Sequence, residues 1–122
     1  MEYGIVQKGD QSYIECTPTA GNLIASEQEA LDLVAACGEY GTHRLLIQAE
    51  NLPPEFYQLK TGLAGAILLK FSNYYLKVAA LLTPELVNQG RFREMALEAN
   101  RSSREFKIFY DRPQAEEWLL KD

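Results

Sequence analysis

Two stretches of this chain are apolar on consecutive residues: Leu45-Leu46-Ile47, and Leu76 to Leu82 with only Lys77 interrupting. A strand sends successive side chains to opposite faces, so such a run is satisfied only where both faces of a sheet are covered. The chain must therefore build a sheet with these two strands inside it and supply cover on both sides.

The flanking segments read accordingly. Tyr3 to Gln7 and Ser12 to Cys16 are short β-rich runs separated by Lys8-Gly9-Asp10-Gln11, whose Gly-Asp pair suits a tight hairpin. Ser26 followed by Glu29 forms a capping box, and Ala30, Leu31, Leu33, Val34 and Cys37 mark one apolar helical face up to Gly38 or Gly41. That spacing predicts a helix over 27–38. Thr83-Pro84-Glu85 supplies an N-cap with proline in the first turn. Phe92, Met95, Ala96 and Ala99 predict a helix over about 91–100, after an irregular turn at Gly90. Phe106 to Tyr110 reads as a last strand, and Asp111-Arg112-Pro113-Gln114 as the cap of a final helix that turns Ala115, Trp118 and Leu119 into the core. Strands alternating with helices after an antiparallel start predict an α/β fold, a mixed sheet of about five strands packed by about four helices.

With 122 residues the chain is expected to form one domain over 1–122, burying about two thirds of its unfolded surface. The residues are 47% hydrophobic and 24% charged, which separates the chain from disordered and collagen-like classes. No basic leader with an apolar core opens it, and no run of about 18 apolar residues occurs, so a cytoplasmic protein without membrane partners is expected. Cys16 and Cys37 lie outside any CxxC pattern and read as small buried residues. The net charge of −5 argues against nucleic acid as a partner. It is unevenly spread: residues 1–59 carry nine acids against Lys8 and Arg44, whereas residues 60–122 carry ten bases against eight acids.

The stretch YQLKTGLAGAILLKF, residues 57–71, is where chemistry could reside. A phosphate-binding P-loop needs its lysine after the second glycine, but Lys60 and Thr61 precede Gly62, and Gly62-Leu63-Ala64-Gly65 is only a GxxG. A penicillin-recognising site would pair Lys-Thr-Gly with a Ser-x-x-Lys nucleophile, and no serine here has lysine three residues on. His43 is the only histidine and sits at the entrance of a central strand. One histidine and two distant cysteines give no metal-ligand spacing, so neither metal nor cofactor is expected. Leu63, Ala64, Ile67, Leu68, Phe71 and Tyr75 fit one helical face. Gly65 and Ala66 are expected to let the helix approach the sheet closely, with Thr61 as its cap and Lys60 beside its free amides.

The element order together with Thr61-Gly62-Leu63-Ala64-Gly65 resembles the STAS family of anti-sigma factor antagonists and sulfate-transporter tails. In that family a central strand leads into an Asp-Ser-Ser-Gly-Leu-Gly stretch opening the second helix. FYQLKTGLAGAILLKFSNYYLKVAAL, with Glu50-Asn51-Leu52 before it and Glu98-Ala99-Asn100-Arg101 after, also looks like a bacterial family catalogued as a domain of unknown function. The STAS resemblance implies a regulatory switch, yet Lys60 stands where the antagonists carry the phosphorylated serine, and Thr61 falls on the second serine. Where members of the closer family often carry polar residues, this chain has Ala66 and Leu69.

The leading expectation is a non-enzymatic, STAS-like module that docks a protein partner. Its surface would be formed by Glu50, Asn51, Tyr57, Lys60, Thr61, Gly62 and Gly65, joined by Asn100 and Arg101. The alternative is a sensor of a small anionic ligand or nucleotide at the same place, with Lys60 and the helix start holding the anion. A third reading is a small enzyme using Glu50 with Lys60 or Tyr57. The edge of the opening strand pair could also support a homodimer.

Overall fold

The computed structural model describes residues 1–121. Strands β1 (Tyr3–Lys8) and β2 (Gln11–Cys16) form the expected hairpin, turned by Gly9 at φ +64°. Helix α1 (Glu27–Glu39) follows, with the Ser26 hydroxyl accepting from the Gln28 amide and donating to Glu29. Strand β3 (Arg44–Gln48), short helix α2 (Pro54–Tyr57) and helix α3 (Leu63–Asn73) come next. The remainder is β4 (Lys77–Leu81), short helix α4 (Pro84–Val87), α5 (Phe92–Ser102), β5 (Phe106–Phe109) and α6 (Arg112–Leu120). The Asp111 carboxylate caps α6 by accepting from the Gln114 amide, as its sequence predicts.

The five strands lie in the order β1-β2-β3-β4-β5, antiparallel at β1–β2 and parallel elsewhere. Alternation along β3 explains the layering. Leu45 and Ile47 enter the larger core with α1, α3 and α5, while Leu46 enters a smaller core with Tyr13, Ala79 and the α6 residues Ala115 and Leu119. Both faces of the two central strands are covered, as their apolar runs require. Buried side chains on the helical side include Leu33, Phe56, Ile67, Phe71 and Phe92. Among the described residues no helix is long and apolar enough to cross a membrane.

Several details depart from expectation. Helix α3 ends at Asn73, so Tyr75 does not extend its apolar face; it sits at φ 61° and is 82% exposed. Gly65 is exposed, and a Cβ built there meets nothing within 4 Å, so no close helix–sheet approach depends on it. Trp118 is half-buried rather than core, lying against Phe109 with the Lys77 ammonium over its ring. The β3–α3 connection is itself folded, with two 3-10 turns, Ala49–Asn51 and Leu59–Thr61, bracketing α2.

Candidate binding cleft

The site begins where β3 ends. The Asn51 side chain is fully buried and makes three hydrogen bonds. It accepts from the Gln48 amide at 2.9 Å and donates to the carbonyls of Thr17 at 2.8 Å and Asn22 at 3.0 Å. Its own carbonyl accepts from the Ile24 amide. Asn51 therefore braces the β3 exit against the segment leaving β2. It is not part of an accessible surface, which corrects its place among the expected contact residues.

Pro53-Pro54 then starts α2, whose Phe56 and Tyr57 turn inward. Tyr57 packs edge-on to Phe92 with ring centroids 5.0 Å apart, and Phe56 lies 5.8 Å from the same ring. The Tyr57 side chain is buried and its hydroxyl has no hydrogen-bond partner among the described residues. Burial, reinforced by the Glu50 carboxylate, pushes this phenol up to about 12. A buried polar group without a partner costs free energy, so an exception of this kind calls for an explanation.

The chain next turns through Leu59–Thr61. The Thr61 hydroxyl lies 2.8 Å from the carbonyls of both Glu55 and Gln58, and accepts from the Leu63 amide at 3.2 Å. Gly62 is the N-cap residue of α3, at φ +77° in the left-handed region that favours glycine. This locks the turn and leaves the Lys60 side chain exposed beside it.

Across from this turn lies the start of α5. Gly90, at φ +49°, bends the chain after α4, and Arg91 precedes the buried Phe92. Between the two segments opens a cleft of about 730 Å³, walled by Tyr57, Leu59 and Lys60 on one side and Arg91, Glu94 and Met95 on the other. Its position after β3 and β4 is where ligands meet parallel sheets. Neither Lys60 nor Arg91 takes part in an ion pair among the described residues. The cleft thus offers an apolar wall from Leu59 and Met95, two cations against the one carboxylate of Glu94, and a phenol unsatisfied among the described residues.

Of the expected site residues, only Tyr57 and Lys60 line this cleft. Glu50, Thr61, Gly62 and Gly65 are exposed nearby in sequence but are not on its walls. Asn100 and Arg101 lie two turns or more along α5 from Arg91. The Asn100 side chain donates to the Ile108 carbonyl at 2.9 Å and accepts from the Ile108 amide at 2.8 Å, clasping β5, while Arg101 pairs with Glu98. Sequence reasoning missed Arg91, Glu94 and Met95; the only available signal was the irregular turn at Gly90. Among the described residues no group of three or more acidic, His or Cys side chains is placed to hold a metal.

Fold and site together define a small α/β domain with a mixed five-stranded sheet and an open cleft beyond the carboxyl ends of its parallel strands. The chain belongs to the family described as domain of unknown function DUF4180, whose model matches residues 8–119. No curated protein and no solved structure matches it.

Proposed function

We propose that this protein is a non-enzymatic, STAS-like binding module whose cleft takes up a small ligand with an apolar body and an anionic group. The observation that carries this reading is the Tyr57 hydroxyl, buried without a partner among the described residues, in a residue that lines the cleft. Lys60 and Arg91 outnumber the single carboxylate of Glu94 and supply the charge complement, and Leu59 and Met95 supply apolar contact. The cavity size falls within the range of small-molecule sites, about 300–1,000 Å³. Glu50, the third reading's acid, is not among the lining residues. Thermal-shift screening against aryl carboxylates, nucleotides and phosphometabolites tests the reading, because a ligand that binds only the native state raises the melting temperature. A stabilising hit that loses its effect in Arg91→Glu is expected; no shift across the panel counts against it.

A protein partner at the same place is a second reading. It is favoured by the exposure of Glu50, Lys60 and Thr61 beside the open cleft, which also admits a protruding acidic side chain. Pull-down from native lysate with wild type and Lys60→Glu tests it, and identical partner lists would remove it.

A further inference from the structure

The sheet has two outer strands and treats them differently. On β5 the outward backbone is taken up within the chain: the Asn100 side chain holds both the amide and the carbonyl of Ile108, and the Ser103 hydroxyl accepts from the Phe106 amide. β1 is left open. The Thr17 amide donates to the Glu2 carbonyl directly opposite, so the alternation of an antiparallel ladder turns the backbone groups of Gly4, Val6 and Lys8 toward β2. Those of Tyr3, Ile5 and Gln7 then face outward, and no hydrogen bond reaches them from the described residues.

Outer strands are commonly guarded by proline, a bulge, a central charge or a covering segment. β1 pairs residue for residue with β2 along its whole length, without bulge or proline. Its one charged residue, Lys8, stands at the end, and the apolar Ile5 near its middle is exposed.

We infer that β1 is a dimerisation edge, pairing antiparallel with β1 of a second copy of this chain so that the two sheets become continuous. Two-fold symmetry and the outward set fix the register. Only an axis at Ile5 brings all three outward residues into hydrogen-bonded pairs, Ile5 with Ile5 of the second copy and Tyr3 with Gln7. The same register sets Glu2 opposite Lys8 and Gly4 opposite Val6. Glu2 and Lys8 are both exposed, and Lys8 makes only a long contact, 3.8 Å, with Glu116. The pairing thus joins opposite charges at both ends of the strand. A cavity of about 280 Å³ lined by Gly4, Val6, Glu15 and Thr17 leaves room there for the second copy's Val6 side chain. On the other face the two Ile5 side chains meet, next to Tyr3, whose ring lies edge-on to the exposed Tyr40.

Sedimentation equilibrium and amide hydrogen exchange on the full chain, over a range of protein concentrations, test the assignment. A concentration-dependent dimer is expected in which the Tyr3, Ile5 and Gln7 amides slow as the dimer forms, while those of Gly4, Val6 and Lys8 are protected throughout. Ile5→Lys, checked for an unchanged spectrum away from β1, should leave a monomer. Glu2→Lys and Lys8→Glu each oppose like charges twice in the dimer and should each weaken association by about tenfold. The double variant restores opposite pairs and should recover most of the affinity. A chain that stays monomeric, a dimer whose Tyr3, Ile5 and Gln7 amides still exchange freely, or charge reversals whose effects simply add would overturn the assignment. Outward amides protected equally at every concentration would overturn it in favour of cover from within the chain.

Discussion

The Tyr57 ring stands edge-on to Phe92, centroids 5.0 Å apart, so the phenol is fixed by packing while its hydroxyl finds no partner among the described residues. The contact joins the β3–α3 connection to the first turn of α5, the two segments that wall the cleft. Edge-to-face pairs of this kind contribute about 0.5–1.5 kcal/mol beyond the area they bury.

Tyr57→Phe keeps that ring contact and removes the unsatisfied hydroxyl. Chemical denaturation should show the variant at least as stable as wild type, with a gain of about 1 kcal/mol. A loss of stability would mean that the hydroxyl is satisfied in solution.

Asn51→Ala deletes three hydrogen bonds at a fully buried position, taking a partner from the Gln48 amide and the Asn22 carbonyl, while the Thr17 carbonyl keeps the Thr19 amide and the Asn22 side chain as donors. Denaturant unfolding should give a loss of about 3 kcal/mol. A change within about 0.5 kcal/mol, as at an ordinary surface position, would contradict the bracing role.

The two glycines of KTGLAG should behave oppositely. Gly62→Ala places a Cβ at φ +77° and is expected to cost about 1 kcal/mol. Gly65→Ala adds an alanine to an exposed helical position with nothing within 4 Å, so it should stabilise by about 0.5–1 kcal/mol. Paired thermal melts decide the sign of each.

Cys16 and Cys37 are buried, and burial pushes both thiols up from 9.0 to about 12. Neither should react with a thiol reagent at pH 8 until the chain is unfolded. These groups are held neutral in the folded state, so their contribution is fully present below the unfolded value near 9 and is lost as pH rises through about 12. Tyr13 and Tyr57 act in the same direction from 10.0 upward. Equilibrium denaturation should therefore show stability falling steadily between pH 9 and 12.

Much of the fold was legible because its signals are local. The consecutive apolar runs of β3 and β4, the Ser26 and Asp111 caps and the Gly9 turn each depend on neighbours a few residues away. The site was less legible because its geometry is non-local. Asn51 read as a surface contact residue, because its carbonyl partners Thr17 and Asn22 are distant in sequence and only the fold brings them beside it. The wall formed by Arg91 and Met95 meets Tyr57 only through the packing of Phe92, and Asn100 is directed away by its clasp on Ile108. Trp118 fitted an inward helical face, but it packs at the border of the smaller core, where the Lys77 ammonium covers its ring.

The cleft's role is tested most directly by backbone amide NMR with a fragment set of aryl carboxylates and aryl phosphates, recorded on wild type and on Arg91→Glu. Saturable shifts confined to residues 57–60 and 89–95, abolished in the variant, are the predicted result. Fragments that leave those residues unmoved, or that move them equally in Arg91→Glu, would contradict a ligand site built on Tyr57, Lys60 and Arg91.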